Sequence, residues 1–384
     1  MLKTNILIFS VGFFSILFFI FAIRANSTQN SDFCLKKSYE FYKNEFMSQD
    51  GRIMDPEKNN ITTSEGQSYM LLRTVVMNDP KTFNLVYKWT KNNLQRKDGL
   101  FSWLWGKSQS GKYGVLDYNS ASDADVDIAF SLCLAYEKWG KEQYLQEAVP
   151  IIQSIWNNET RRFGQYLVLM PGVGQTSSKK VELNPSYFSP YAFRFFQKYD
   201  ELHDWNYLID SSYYYIMAAS SKTKTGLPPN WFLLENGQIV LEDSPRSDFS
   251  YDAVRVFKNV YMDYIRTGEK RALPILAKSK FFIAKWKESK SFYTNYKSDG
   301  MLRDNSQFIG SIVTLIPPIS VYDGKVAIEI YDSEVEPYFS NKKNWTGRHD
   351  YYGKNLLWFG CHFYNKKSKE YKEMQKISKK VTDY

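Results

Sequence analysis

The chain has 384 residues, of which 43% are hydrophobic, and a formal net charge of +9. Its length leaves one or two domains open, and its apolar content is sufficient for a large core. The positive charge alone fits a nucleic acid or an anionic surface, but no recognisable nucleic-acid motif accompanies it, so no nucleic-acid partner is expected. Aromatic residues reach 17%, and this surplus fits either sugar binding by exposed ring faces or an aromatic core.

Cysteines and histidines are few and scattered. They are Cys34, Cys133 and Cys361, and His203, His349 and His362. The odd number of cysteines and the lack of metal-ligand spacing indicate buried thiols rather than a disulfide framework or a zinc site. We expect neither a metal nor a cofactor.

The N-terminal segment is strongly apolar. Residues 6–23 are continuously hydrophobic, which is long enough to cross a bilayer as a helix. Ile23, Arg24 and Ala25 form a poor cleavage site, so residues 1–25 are predicted to be an uncleaved membrane anchor, followed by a polar stem at 26–32. The remainder is then expected outside the cytoplasm; secretion after signal cleavage is the alternative.

Helix-like periodicity dominates the rest of the chain. Apolar residues recur at spacings of three and four, as at Tyr69, Leu72, Val75 and Val76, which is typical of a helix with one buried face. The predicted helices are 33–47, 65–78, 81–96, 123–139, 141–157, 188–200, 205–221, 251–267, 269–288, 305–316 and 351–365. Strand-like alternation is sparse, so the predicted class is all-α.

Short and long connections alternate between these helices. Short ones such as 78–80 join helices into hairpins, whereas long ones such as 98–122 and 223–250 are rich in Gly, Ser, Asn and Asp. Six hairpins closing into a ring would place the N-termini of the inner helices at one mouth, lined by the long loops. We therefore predict one catalytic domain over 33–384, in which the basic tail at 366–380 is a solvated helix end.

Three loops each end in a carboxylate at the start of an apolar helix. These are Glu65, Asp123 and Asp252. Each one alone is explained by helix capping, since acids in the first turn favour the helix dipole. Three on parallel inner helices would meet across one mouth, with room for a sugar between them, as hydrolysis of a glycosidic bond requires.

The segment from Ala121 to Trp139, ASDADVDIAFSLCLAYEKW, closely resembles the signature of glycoside hydrolase family 8. Further resemblances follow in the same order: TSEGQSYMLL around Glu65, GLFSWLWG at 99–106, LNPSYFSPYAFR at 183–194, SYDAVR at 250–255, DNSQFIG at 304–310 and YYGKNLLWF at 351–359. The resemblance implies an (α/α)6 barrel, an inverting mechanism and a β-1,4-linked glycan as substrate.

By position, the resemblance makes Glu65 the general acid, Asp123 the acid that orients the sugar at the cleavage point, and Asp252 the general base. Arg255 resembles the arginine that accompanies the base, and it shares a helix face with Asp252 at i and i+3. Four aromatic residues resemble sugar-binding positions: Trp103, Tyr187, Tyr251 and Tyr352. Two further acids of the signature, Asp125 and Asp127, are predicted to be caps and loop anchors.

The chain departs from the family pattern between Trp156 and Leu183, where no Trp-containing loop is present. This departure and the predicted anchor favour a hydrolase of a β-linked exopolysaccharide at the cell surface. We expect a monomer. A secreted cellulase or xylanase is one alternative. A noncatalytic glycan-binding protein on the same fold is another, which the retained acids disfavour.

Overall fold

The computed structural model describes residues 35–174, 180–337 and 351–363. The predicted anchor at 1–25, the stem at 26–32 and the basic tail at 366–380 lie outside these ranges. Within them, no helix combines the length and the hydrophobicity that a bilayer-crossing segment needs.

The described chain is mainly helical, with short strands in the connections. The helices are α1 (35–46), α2 (Ser64–Val76), α3 (Pro80–Leu94), α4 (Ser122–Trp139), α5 (Glu142–Glu159), α6 (Pro190–Tyr199), α7 (Trp205–Ser221), α8 (Val254–Thr267), α9 (Ala272–Leu276), α10 (Lys280–Ser289), α11 (Ile309–Tyr322), α12 (Gly324–Ile330) and α13 (Tyr351–Phe363). The strands are β1 (Thr62–Thr63), β2 (Ser102–Lys107), β3 (Tyr113–Ser120), β4 (Thr160–Phe163), β5 (Tyr166–Leu169), β6 (Lys180–Leu183), β7 (Phe232–Glu235) and β8 (Gln238–Val240).

Alternate helices form an inner ring. In the described part of the chain the ring consists of α2, α4, α6, α8, α11 and α13, each in contact with the next. The inner helix α8 is buried on nearly all sides, with ten consecutive buried residues at 254–263. The outer helix α3 instead buries one face and exposes the other. This arrangement confirms the all-α class and the (α/α)6 barrel.

The ring closes between its first and last inner helices. The buried guanidinium of Arg73 in α2 donates to the Asn355 side chain of α13 at 3.1 Å and to its carbonyl at 2.8 Å. Outside α13 lies α1, whose Tyr42 hydroxyl donates to the Tyr351 hydroxyl at 3.4 Å. The N-terminal helix α1 therefore covers the last inner helix and completes the outer layer.

Local sequence sets where the inner helices begin and end. Thr63 caps α2, because its side chain accepts a hydrogen bond from Gly66 N at 3.1 Å,. Gly140 ends α4 and Gly268 ends α8 in the left-handed conformation, at φ 66° and 74°, which glycine adopts without a Cβ clash.

Two helix predictions were wrong in extent. The helix expected at 305–316 runs from Ile309 to Tyr322, through Pro317 and Pro318. Prolines remove backbone donors, but every residue of 309–321 is buried, so tertiary packing holds this helix together. The single helix expected at 269–288 is two, α9 and α10, joined by a short 3-10 turn.

The long loops contain more β-structure than their composition indicated. Strands β1, β2 and β3 form one antiparallel sheet, β4 pairs with β5, and β6, β7 and β8 form a third sheet. All lie in connections that run from an outer helix to the next inner helix. They therefore surround the N-termini of the inner helices.

The cysteines differ in state. Cys133 is free and buried, as expected. Cys361 is disulfide-bonded, which corrects the expectation of a buried thiol at this position.

Candidate active site

One arginine joins the three carboxylates predicted from sequence. Arg255 Nη1 donates to Glu65 Oε1 at 3.0 Å and to Asp123 Oδ2 at 2.8 Å, and its Nη2 donates to Asp252 Oδ1 at 3.0 Å. The Arg255 side chain is only 5% exposed. The starts of α2, α4 and α8 therefore converge on a single guanidinium.

Glu65 is the second residue of α2 and is not the helix cap, a role that Thr63 fills. Its Oε1 accepts from the Tyr69 hydroxyl at 3.0 Å as well as from Arg255. Both described hydrogen bonds use Oε1, which leaves Oε2 without a described partner. The side chain is 27% exposed, which leaves it accessible to a ligand.

Asp123 is likewise not a cap in the usual sense. The capping position of α4 is Ala121, whose side chain makes no capping bond. Asp123 Oδ1 accepts from Ala124 N at 2.9 Å, and Oδ2 accepts from Arg255. Both oxygens are occupied and the side chain is 11% exposed, so it is the most enclosed of the three acids.

Asp252 lies in the turn that leads into α8, two residues before the helix begins. Its Oδ1 accepts from Arg255, and its Oδ2 accepts from the indole N–H of Trp231 at 3.0 Å. The side chain amide of Asn230 accepts from Asp252 N at 3.2 Å and from Ala253 N at 2.9 Å. Adjacent residues of one loop thus fix both the backbone and the carboxylate of Asp252.

The surroundings of Glu65 raise the pKa of its carboxyl group. Burial raises the pKa of Glu65 to about 7, and the negative charge of Asp123 adds to this effect while Arg255 opposes it,. One guanidinium faces three acids, so a proton on Glu65 removes the like-charge repulsion that full ionisation would create. A protonated Glu65 can therefore share the Arg255 guanidinium with Asp123 and Asp252 near neutral pH.

The predicted aromatic residues are distributed around this cluster. The Tyr187 ring centre is 5.5 Å from the Arg255 guanidinium. Tyr352 stacks on Phe308 at 5.5 Å, and Tyr251 packs edge-on against the same ring at 5.0 Å. Three of the four aromatic residues therefore border the mouth.

Trp103, the fourth, occupies β2. Its described hydrogen-bond partner is Asp117 of β3, rather than one of the three clustered carboxylates. β2 pairs with β1, which directly precedes α2, through Thr63 and Leu104. Trp103 is therefore adjacent in sequence to Leu104, which pairs with Thr63, the residue directly before α2.

The two other acids of the signature lie deeper. Asp125 is buried and accepts from Phe101 N at 2.9 Å. Asp127 accepts from the Tyr191 hydroxyl of α6 at 3.0 Å. Both anchor neighbouring segments, as their position within the first turns of α4 predicts.

Sequence reasoning missed two residues that touch the carboxylates. Tyr69 follows Glu65 by four residues on one helix, a spacing that places the two side chains on the same face, so this contact was predictable. Trp231 comes from the long loop at 223–250, where no periodicity relates it to Asp252. Its role could be found only from the structure.

The arrangement contains the chemical groups that hydrolysis of a glycosidic bond requires. Carboxyl groups on opposite walls of a cleft can protonate a departing oxygen and deprotonate a water, provided that one is neutral and the other ionised. No group of His, Cys, Asp and Glu suited to holding a metal ion occurs within 35–174, 180–337 or 351–363.

Comparison with known proteins agrees with this class of site. Residues 9–366 match the family described as glycosyl hydrolases family 8. An endoglucanase of Escherichia coli K12 is 34% identical over 238 residues, which cover 60% of this chain and 63% of that protein. An endoglucanase of Salmonella typhi is 30% identical over 276 residues, which cover 70% of this chain and 72% of its own.

Solved structures share the fold. The endo-1,4-D-glucanase of Vibrio fischeri ES114 superimposes with a TM-score of 0.75 at 27% identity, over 86% of this chain and 95% of its own. The chain belongs to glycosyl hydrolases family 8. The match to the Escherichia coli relative spans less than two thirds of that protein's length.

Proposed function

We propose that this chain is an endo-acting hydrolase that cleaves a β-1,4-linked polysaccharide with inversion at the anomeric carbon. The observation that carries the proposal is the convergence of Glu65, Asp123 and Asp252 on Arg255 from three walls of one mouth. The relatives named endoglucanases support a β-1,4-glucan or a related exopolysaccharide as substrate.

In this mechanism Glu65 is the general acid. With a pKa of about 7, it carries a proton under mildly acidic to neutral conditions and can pass that proton from Oε2 to the departing glycosidic oxygen. Asp252, held by Arg255 and Trp231, is the general base that takes a proton from the attacking water. Water then attacks the face opposite the leaving group.

Asp123 and the aromatic rings hold the sugar. Asp123 reaches the same space from a third wall and accepts hydrogen bonds from sugar hydroxyls next to the scissile bond. Tyr187, Tyr251 and Tyr352 border that space, and Trp103 extends it along β2.

The chain acts outside the cytoplasm in this proposal. The apolar run at 6–23 supports export,, and so does the disulfide bond of Cys361, since such bonds persist in oxidising compartments,. An uncleaved anchor would keep the enzyme at the surface where an exopolysaccharide emerges. We expect the full-length protein to sediment with membranes; recovery in the medium with a new N-terminus near residue 26 would indicate a cleaved signal.

The activity is tested by digestion of cellulose, lichenan, xylan, chitosan and an amino-sugar exopolysaccharide, followed by product analysis. Release of short oligosaccharides of mixed length from cellulose or lichenan is expected. NMR of fresh products should show the α-anomer first, because inversion of a β-linkage gives it. Initial β-anomer would exclude inversion, and binding without release of products would favour the noncatalytic alternative.

A further inference from the structure

Tyr69 lies one turn beyond Glu65 on α2 and touches both the acid and the arginine of the site. Its hydroxyl oxygen is 3.0 Å from Glu65 Oε1 and 3.3 Å from Arg255 Nη1. A guanidinium has no acceptor, so the hydroxyl proton cannot point at Arg255. Tyr69 therefore accepts from Arg255 and donates to Glu65.

The packing around the Tyr69 ring fixes the position of this hydroxyl. The residue is only 1% exposed. Phe359 of α13 packs edge-on against the ring with the ring centres 5.1 Å apart, and the Lys258 ammonium of α8 lies 5.8 Å from the ring centre. The ring is therefore held among three inner helices, and its hydroxyl has little freedom to leave Glu65.

Two donors converge on one oxygen of Glu65. Oε1 accepts from Tyr69 and from Arg255, in both cases at 3.0 Å. A carboxyl oxygen that carries the proton has one in-plane lone pair left, so an oxygen that accepts two hydrogen bonds is poorly suited to carry it. Oε2 makes no described hydrogen bond, and it is not one of the buried polar atoms without a partner, so it is open to solvent. These contacts favour a neutral Glu65 with its proton on Oε2.

We propose that Tyr69 is a positioning residue that orients Glu65 so that Oε1 stays bound within the site and Oε2 carries the proton for the leaving group. In the reaction the proton passes from Oε2 to the glycosidic oxygen while the electron pair of the C1–O bond moves to that oxygen. Oε1 keeps its two hydrogen bonds as Glu65 becomes anionic. The use of the proton rests on the proposed function, whereas its placement follows from the contacts among the three side chains.

The Tyr69 hydroxyl also affects the acidity of Glu65. Burial raises the pKa of Glu65 to about 7, and the bond from Tyr69 opposes this rise, because a donor to a carboxylate stabilises the ionised form,. The other charged or titratable groups that face Glu65 stay in place when the hydroxyl is removed. They are Arg255, Asp252 and Lys258 at or near the start of α8, Asp123 of α4, Tyr187 before α6 and Tyr352 of α13. Loss of the hydroxyl should therefore raise the pKa of Glu65 further.

Tyr69→Phe removes the hydroxyl and keeps the ring. On a soluble β-glucan we expect kcat to fall about 10- to 50-fold, which is part of the 10²–10⁴-fold that a positioned acid supplies. KM should stay within about twofold of the wild-type value, and the alkaline limb of the rate profile should move to higher pH.

A substrate that needs no acid separates proton delivery from a general loss of structure. The leaving group of a dinitrophenyl β-cellooligosaccharide departs without protonation, so Tyr69→Phe should hydrolyse it at about the wild-type rate. Equal losses on the glucan and on the dinitrophenyl substrate, or an alkaline limb that stays in place, would overturn the positioning role.

Tyr213→Phe is the matched control. Tyr213 is also 1% exposed, and its hydroxyl donates to Asp263 Oδ2 at 2.8 Å, while Arg194 binds the same acid at 2.6 Å. The substitution removes the same kind of buried bond away from the carboxylate cluster. Tm should fall as in Tyr69→Phe, with the rate profile unchanged. If Tyr213→Phe reproduced the kinetic changes, they could not be assigned to the bond between Tyr69 and Glu65.

Difference infrared spectroscopy locates the proton without a substrate. Spectra are taken at pH 5, below the pKa of Glu65 of about 7. Subtracting the spectrum of the same protein with Glu65→Gln isolates the C=O stretch of the protonated acid. A hydrogen bond to a carbonyl oxygen lowers its stretching frequency, so the band should move to higher wavenumber in Tyr69→Phe if Oε1 is the carbonyl oxygen, and stay in place in Tyr213→Phe.

An unmoved band in Tyr69→Phe would show that Oε1 is not the carbonyl oxygen bound by Tyr69 and would overturn the proposal. A wild-type protein that hydrolyses neither substrate would instead count against the proposed function, while the infrared band still decides which oxygen carries the proton.

Discussion

Two clusters of acids meet at the first turn of α4, and they differ in what surrounds them. Glu65, Asp123 and Asp252 face an open cleft and share the Arg255 guanidinium. Asp125 and Glu159 are fully buried and accept hydrogen bonds from Phe101 N and from the Ser120 hydroxyl, and no cation among the described residues is bonded to either. Asp123 and Asp125, two residues apart on the same helix, therefore belong to environments of opposite electrostatic character.

The difference explains why one cluster can perform acid and base chemistry and the other cannot. Around Arg255 the cation stabilises ionised acids while burial keeps Glu65 neutral, so both protonation states coexist within one site,. Burial instead raises the pKa of Asp125 well above its usual range, which favours the neutral acid,. The buried pair is thus suited to holding structure, and the open cluster to moving protons.

Among substitutions in the open cluster, Glu65→Gln should cause the largest loss of activity. The amide oxygen can still accept from Tyr69 and Arg255, but the side chain can no longer protonate a leaving group. We expect kcat to fall about 10²–10⁴-fold with the fold intact, measured on a soluble β-glucan together with Tm. Normal turnover would remove Glu65 from the role of acid.

Arg255→Lys tests whether the cluster depends on a guanidinium fork or only on a positive charge. A lysine ammonium is a point charge that cannot hold three carboxylates in the geometry of Nη1 and Nη2. We expect kcat/KM about 10–100-fold below the wild type, corresponding to one or two charge-assisted hydrogen bonds. Activity within twofold of the wild type would show that charge alone suffices.

The pH profile of the wild type should report the neutral acid. Because the pKa of Glu65 is about 7, its protonated fraction falls about tenfold for each pH unit above that value. We expect kcat to decline accordingly between pH 7 and 9 under conditions where chemistry limits turnover. A profile that stays flat to pH 9 in the folded protein would contradict a neutral Glu65.

Much of this contrast could be anticipated from sequence, but not all. The periodic apolar residues of α2 and α4 and the carboxylates at helix starts predict the barrel and the open cluster. The burial of Glu159 together with Asp125 could not be predicted, because Glu159 lies at the far end of the next helix, and long-range packing leaves no periodic signal. The strands β2 and β3 were also missed, since their Gly, Ser and Asn content resembles a loop.

Trp231 was not predicted from the sequence either. Its replacement should lower activity less than the other substitutions in the open cluster do. Its indole N–H donates to Asp252 Oδ2 at 3.0 Å, and its ring contacts Tyr187 at 5.9 Å. Trp231→Phe removes the donor while keeping an aromatic ring. The base then loses one hydrogen bond, so kcat should fall about threefold to tenfold.

The split between kcat and KM distinguishes this role from sugar binding. If the indole acts through Asp252, KM stays near the wild-type value in Trp231→Phe, because the retained ring preserves the aromatic surface beside Tyr187. If Trp231 instead serves as a platform for the substrate, KM rises in Trp231→Phe and kcat stays near the wild-type value. Trp231→Leu, which removes both the donor and the ring, should add an increase in KM to the fall in kcat. A lower kcat in both variants with KM raised only in the second would assign the indole N–H to the base and the ring to the cleft wall.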